Sequence, residues 1–415
     1  MKFQTAKEIN HHASVKAGRS LPLRQLHLVL SDESNICDIA EAIRSLTSVN
    51  SIILSCYNQI EPAWWDLPLA GLFYAFGSLR TLRSFKMECI GQDSGKMHFP
   101  VMWLVYMLQQ PTCRLTSLYF NKVQLQYNRS WFVLFAEKLG TQTDLKRFQF
   151  QKCSFWDQDE HVFNADAFLD PVVKSLSAIP KLRRLSITVN EHLEDHLWLF
   201  RTDILQKLMT CSPSPSSPYG SHSPRSVELD DMDNDGLVAV AEALRTNDKM
   251  KSLAISVYGE TTTGCTAFAD MLQINHTLEH LRIRAGGTFE ADEFLSETAV
   301  SLAYNDTLKS LKLFGFRKLN PNHEGSYAKM LETNQVLEEL ALSRWRRGEK
   351  KTPYCGKNRH LIDYYLRLNQ YGRRRLTSDF ETTTPQDWVQ VLSMCSSDLD
   401  AVYFFVSMNP SLCTL

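Results

Sequence analysis

Hydrophobic positions recur along this chain as LxxLxL, with Phe, Val, Ile or Met standing in for Leu. The copies run Leu23-Leu26-Leu28, Val49-Ile52-Leu54, Leu82-Phe85-Met87, Leu115-Leu118-Phe120, Leu145-Phe148-Phe150 and Leu182-Leu185-Ile187. After a degenerate Val227-Leu229 come Met250-Leu253-Ile255, Leu278-Leu281-Ile283, Leu308-Leu311-Leu313 and Leu337-Leu340-Leu342. Alternation of apolar and polar residues within each copy predicts a short strand with one core-facing side. Ten steps separate residue 26 from residue 340, a mean of about 31 residues per repeat.

Between the strands the apolar spacing becomes helical, as in Ile36-Ile39-Ala40-Ile43, Leu237-Val240-Ala241-Leu244 and Phe294-Ala299-Leu302. Each unit therefore reads strand, turn, helix. One such unit cannot bury both its strand and its helix, so stability must come from stacking neighbours. The expected fold class is α/β: a curved, horseshoe-like solenoid with parallel strands on the concave face and helices on the convex face.

The phrases NDGLVAVAEALRTNDKMKSLAI (234–255), NHTLEHLRI (275–283), NDTLKSLKL (305–313) and NQVLEELAL (334–342) resemble leucine-rich repeats of the ribonuclease-inhibitor type. The resemblance is specific over 226–343, weaker but in register over 23–190, and absent from the C-terminal part. It implies a leucine-rich repeat solenoid in which each strand is followed by a full helix. Some proteins of this subtype activate small GTPases by accelerating hydrolysis on the partner, and others are adaptors that recruit substrates for ubiquitination. For the latter, the residues before the first repeat are too few for the domain that usually joins such arrays to a ligase.

The expected layout is a lead-in over 1–22, an array of about eleven repeats over 23–343, and a basic segment with a helical C-terminal cap over 344–415. Residues 212–225 hold four Pro and six Ser and read as a loop insertion between repeats. Its Ser-Pro dipeptides at Ser212, Ser214, Ser217 and Ser223 suit proline-directed phosphorylation, against the alternative of an unmodified linker. Residues 344–375 carry eleven Lys/Arg and two acids, whereas 376–415 carry five acids and no base. Arg359–Arg367, with Leu361-Ile362-Tyr365-Leu366, reads as a basic amphipathic helix. Thr384-Pro385-Gln386-Asp387 reads as a helix start, and Leu399–Met408 as a final helix. Such helices can cover the end of the array, with the two charge runs neutralising one another.

Composition excludes disordered and fibrous classes, at 44% hydrophobic and 22% charged residues. A formal net charge of −1 means that any electrostatic partner must see a local patch. Met1–Leu23 has no signal-like apolar run, and no stretch approaches the roughly 18 apolar residues of a membrane span, so no membrane partner and a cytoplasmic location are expected. Arg344-Trp345-Arg346-Arg347 and Lys350-Lys351 read as a solvated loop, with nuclear import and an anionic-lipid or nucleic-acid patch as alternatives. Ten cysteines without a CxxC pair read as small core hydrophobes, with no disulfide and no zinc site expected.

Motifs for chemistry fail on detail. Gly91–Met97 resembles a phosphate loop but has three residues between its glycines and Met97 where Ser or Thr should bind magnesium. Asp231–Gly236 with Glu242 satisfies the calcium-loop expression, yet Asp235-Gly236-Leu237 reads better as the opening of a repeat helix. His192 and His196 match no metalloprotease order. Asn128-Arg129-Ser130, Asn275-His276-Thr277 and Asn305-Asp306-Thr307 match the glycosylation expression, but the last two sit at the repeat position before a strand. No catalytic residue, metal or cofactor is expected, and the reading is a non-enzymatic scaffold for a protein partner, with nucleic acid disfavoured. If the fourth and sixth residues of LxxLxL face inward, the third, fifth and seventh form the concave face. Arg and aromatic residues there make Tyr119, Arg147, Arg184, Arg282, Arg284, Lys312 and Phe314 the candidate contacts.

Overall fold

The computed structural model describes residues 2–3, 9, 24–30, 35–57, 66–90, 98–157, 165–189, 224–258, 262–286, 291–316, 321–344, 352–353, 357–377 and 383–409. Its contacts divide it into two units, residues 1–231 and 232–415.

In the first unit the repeat strands are β2 (Gln25–Leu30), β3 (Ser51–Tyr57), β4 (Ser84–Ile90), β6 (Ser117–Asn121), β8 (Arg147–Asp157), β9 (Arg184–Val189) and β10 (Ser226–Met232). They pair in parallel and in register, so that Leu26, Ile52, Phe85, Leu118, Phe148, Leu185 and Val227 form one row. Every member of that row is buried, which removes one apolar side chain per strand from water. β1 (Lys2–Phe3) adds a short parallel strand beside β2, so the expected lead-in supplies an edge. Helices α1 (Ile36–Arg44), α2 (Asp66–Ser78), α3 (Val101–Leu108), α4 (Arg129–Gly140) and α5 (Ala165–Ser177) form the second layer. Asn35 caps α1 and Asn128 caps α4, each accepting a bond from the backbone three residues on.

Repeats of the first unit are irregular for a structural reason. β5 (His98–Pro100) and β7 (Gln124–Tyr127) pair with each other, and β7 pairs with the far half of β8, giving a separate three-stranded parallel sheet. β8 serves both sheets through a register shift between Phe150 and Cys153. Bulky rings fill the core there: Phe73 lies 5.4 Å from Phe76 and 5.3 Å from Phe99, and Phe99 packs edge-on to Trp103 at 4.7 Å.

The second unit is more regular: β11 (Ser252–Tyr258), β12 (His280–Gly286), β13 (Ser310–Phe316) and β14 (Glu339–Arg344) are parallel, with Leu253, Leu281, Leu311 and Leu340 in one row. α6 (Asn234–Thr246), α7 (Thr262–Ile274), α8 (Ala291–Leu302) and α9 (Pro321–Thr333) pack in sequence beside them. Residues of the calcium-loop expression are spent on α6, since Asp233 caps the helix by accepting from Gly236 N at 2.8 Å. Asn234 Oδ1 accepts from Gly264 N on the next helix.

A buried asparagine ends each helix and ties three turns together. Asn275 Nδ2 donates to Leu244 O at 2.7 Å, and its Oδ1 accepts from Thr277 and Leu278 N. Asn305 repeats the pattern onto Leu272 and Asn275 O, and Asn334 onto Leu302 and Asn305 O. Of the three asparagines that match the glycosylation expression, Asn275 and Asn305 are thus buried and fully engaged, whereas Asn128 is exposed. Gly315 adopts φ +83°, the left-handed region, at the bulge in β13. A Cβ there would stand 2.2 Å from Ala285 O. Gly315→Ala is expected to lower unfolding free energy by about 1–3 kcal/mol, read from the urea midpoint, because both backbone strain and a clash oppose it.

After β14 the chain forms β15 (Thr352–Pro353), antiparallel to β14, and four helices: α10 (Arg359–Gln370), α11 (Arg373–Thr377), α12 (Pro385–Met394) and α13 (Leu399–Met408). Thr384 and Asp387 form a reciprocal capping box at α12. Leu368, Leu376, Trp388, Val391, Cys395, Ala401 and Phe405 make a core of their own. Asn369 continues the donor side of the ladder alone, donating to Asn334 O at 3.0 Å and Leu337 O at 2.9 Å, while Leu331 O is taken by Arg373. Arg367 pairs with Asp398 at 3.1 Å, so part of the basic run meets the acidic one. Among the described residues the cysteines are free thiols, and burial pushes Cys113 and Cys153 up to about 12. No helix among those residues is long and apolar enough to cross a membrane.

Candidate functional site

Side chains at the fifth and seventh places of each repeat alternate away from the buried row and share the opposite face of the sheet. In the first unit they join into a polar ladder. His27 Nε2 lies 2.7 Å from Ser55 Oγ, and Ser55 Oγ donates to Glu88 Oε1 at 3.0 Å. The hydroxyl has one proton and gives it to Glu88, so the imidazole donates to the serine. In a nucleophilic relay the acid would instead hold the histidine and the imidazole would take the serine's proton. Lys86 Nζ contacts Glu88 at 2.6 Å and lies over the Tyr119 ring at 5.1 Å. Burial raises the Glu88 pKa, but hydrogen bonds from Lys86 and Ser55 outweigh it and hold the carboxyl below its ordinary range.

Tyr119 OH donates to Gln151 Oε1 at 2.8 Å. Gln151 Nε2 reaches Ser186 Oγ at 3.5 Å, and Ser186 donates to Glu228 at 2.8 Å. Tyr119, a candidate contact, is therefore half-buried inside the ladder, with burial raising its phenol pKa. Arg147 and Arg184 are register partners at the start of β8 and β9, exposed side by side.

In the second unit four candidates come together on two strands. Arg282 is the register partner of Lys312, and Arg284 that of Phe314. The Arg282 guanidinium lies over the Phe314 ring at 5.3 Å. Lys312 is tied to Glu339 at 2.8 Å, and Glu339 also accepts from Ser310 at 2.7 Å, which keeps its carboxyl below the ordinary range.

Sequence reasoning did not single out Ser55, Gln151 and Ser186, the short hydroxyl and amide links of the ladder. Their signal was position alone: each occupies a fifth or seventh place. The candidate phosphorylation sites Ser212, Ser214, Ser217 and Ser223, with His192 and His196, lie outside the described residues. Among the described residues, no group of three or more His, Cys, Asp or Glu could hold a metal ion.

Neither a protein-family model nor a curated protein matches the chain. Among solved structures, the actin-binding site 2 of leiomodin-1 is 24% identical, with a TM-score of 0.29, over 34% of this chain and 76% of that one. A TLR13–ssRNA13 complex is 12% identical, with a TM-score of 0.32, over 71% of this chain and 44% of that one. The parallel strands, the buried leucine row and the alternating helices fit a leucine-rich repeat solenoid.

Proposed function

We propose that this protein is a non-enzymatic scaffold of the ribonuclease-inhibitor-like subtype, holding a protein partner on the strand face of its repeats, with α10–α13 as the cap of the array. The observation that carries this reading is Arg282 laid over Phe314 beside Arg284. An ordered arginine on an aromatic ring is hot-spot chemistry, and holding it in place before binding reduces the entropy lost on association. Support for the subtype is the strand-plus-full-helix unit of α6 to α9, and support for the cap is Asn369, which donates to Asn334 O as Asn334 does to Asn305 O.

The test is capture from native lysate by the full chain and by Arg282→Ala/Phe314→Ala, with captured proteins identified by mass spectrometry and affinities measured by calorimetry. A hot-spot loss of about 2 kcal/mol, some thirtyfold in Kd, is expected for a genuine partner. Identical captured sets and unchanged affinities would remove this face as the site.

A further inference from the structure

We infer that five cations at the start of β8, β9 and β10 form a docking site for an acidic protein segment; this deepens the strand-face reading above and rests on it. Lys146, Arg183 and Arg225 each stand one residue before a strand. Arg183 N donates to Lys146 O at 2.8 Å and Arg225 N to Arg183 O at 3.0 Å, which sets them on three consecutive rungs. Arg147 and Arg184 follow directly, as register partners. All five side chains are exposed, and among the described residues none makes an ion pair. Among the described side chains, Asp144 pairs with Lys181 at 2.5 Å and Glu228 accepts from Ser186 at 2.8 Å.

The place of Lys146, Arg183 and Arg225 also carries Arg24 and Arg83 in earlier repeats, but the place of Arg147 and Arg184 does not require charge. At the register place of Arg147 and Arg184, the strands β3, β4 and β6 carry Ser51, Ser84 and Ser117. Rungs about 4.8 Å apart put the like charges within one Debye length, about 8 Å at physiological salt, so they repel until an anion lies across them. The patch spans two intervals, about 10 Å, and carboxylates on one side of an extended peptide recur about every 7 Å. Arginine takes carboxylates in a bidentate fork. A nucleic-acid strand would want stacking rings, but the patch borders Gln149 and Ser186, and the Tyr119 ring on β6 already carries Lys86.

Fluorescence anisotropy on the full chain, with a fluorescein-labelled peptide of eight glutamates and a ten-residue oligothymidine, tests this at 50 and 200 mM salt. The peptide is expected to bind with a steep salt dependence. Changing Lys146, Arg147, Arg183, Arg184 and Arg225 to Gln should weaken binding at least tenfold. Changing Arg80, Lys174, Lys329 and Lys357 to Gln should leave it within twofold. If the fivefold variant fails to fold by circular dichroism, Arg147→Gln/Arg184→Gln carries the same test with at least a threefold loss. No peptide binding, equal loss in the control variant, or tighter binding of the oligonucleotide overturns the site. A lysate partner captured through Arg282 and Phe314 alongside failed peptide binding overturns only the acidic-segment site and leaves the strand-face reading in place.

Discussion

Asn305→Ala is expected to cost the second unit about 3–5 kcal/mol of unfolding free energy. The side chain is buried and makes four hydrogen bonds: Nδ2 to Leu272 O at 2.6 Å and Asn275 O at 3.2 Å, Oδ1 from Thr307 N at 3.1 Å and Leu308 N at 2.7 Å. Alanine removes the buried partners of Leu272 O and Leu308 N, while Asn275 O keeps the Thr307 hydroxyl at 3.3 Å, and each buried orphan costs about 1–3 kcal/mol. Asn305→Asp separates the two halves of the amide, because a carboxylate can still accept from Thr307 and Leu308 but cannot donate to Leu272. Urea unfolding of both variants, beside exposed Lys329→Ala as a control, measures the effect. A midpoint for Asn305→Ala equal to that of the control would show that the ladder contributes nothing to stability.

Arg373→Met should be nearly as severe, at about 2–4 kcal/mol. Arg373 is a buried arginine whose partners are backbone carbonyls. Its guanidinium donates to Leu331 O at 2.9 Å and to Glu332 O, in the last turn of α9, where the helix dipole is negative. Tyr365 and Phe404 lie across the cation at 5.3 and 5.6 Å. Burial pulls its pKa down, with the neighbouring tyrosines and Glu332 opposing. Methionine fills much of the same volume but can pair with neither carbonyl. Trp388, buried in the C-terminal core, reports the outcome through its fluorescence on thermal unfolding. Wild-type melting and emission in Arg373→Met would disprove that Arg373 anchors these helices to α9. Arg373→Lys, which keeps the charge but not the planar fork, should fall between the two.

The strands were legible because their signal is local. Leu281, Leu311 and Leu340 repeat at nearly constant spacing, and a parallel stack pairs equal positions, so the register follows from the pattern. The helix start at Thr384 and the bounds of the last helix were equally local. The three-stranded sheet of β5, β7 and β8 was not legible, because its pairing depends on a register shift within β8 and on the ring cluster of the first unit. Position alone marked the strand-face residues, but not which of them would be spent on one another.

The sequence by itself determined the repeat: a period-two pattern every thirty or so residues commits each strand to one buried face, and a buried Asn before the strand follows from the same period. Only the tertiary structure decided which charges remain available. Lys312 is neutralised by Glu339, Arg373 is buried against α9, and Tyr119 is absorbed into the ladder, whereas Lys146, Arg147, Arg183, Arg184 and Arg225 stay exposed. The reason is that a side chain's free partners are set by what stacking brings within about 3 Å of it, across residues some thirty positions apart, and no local pattern encodes that distance.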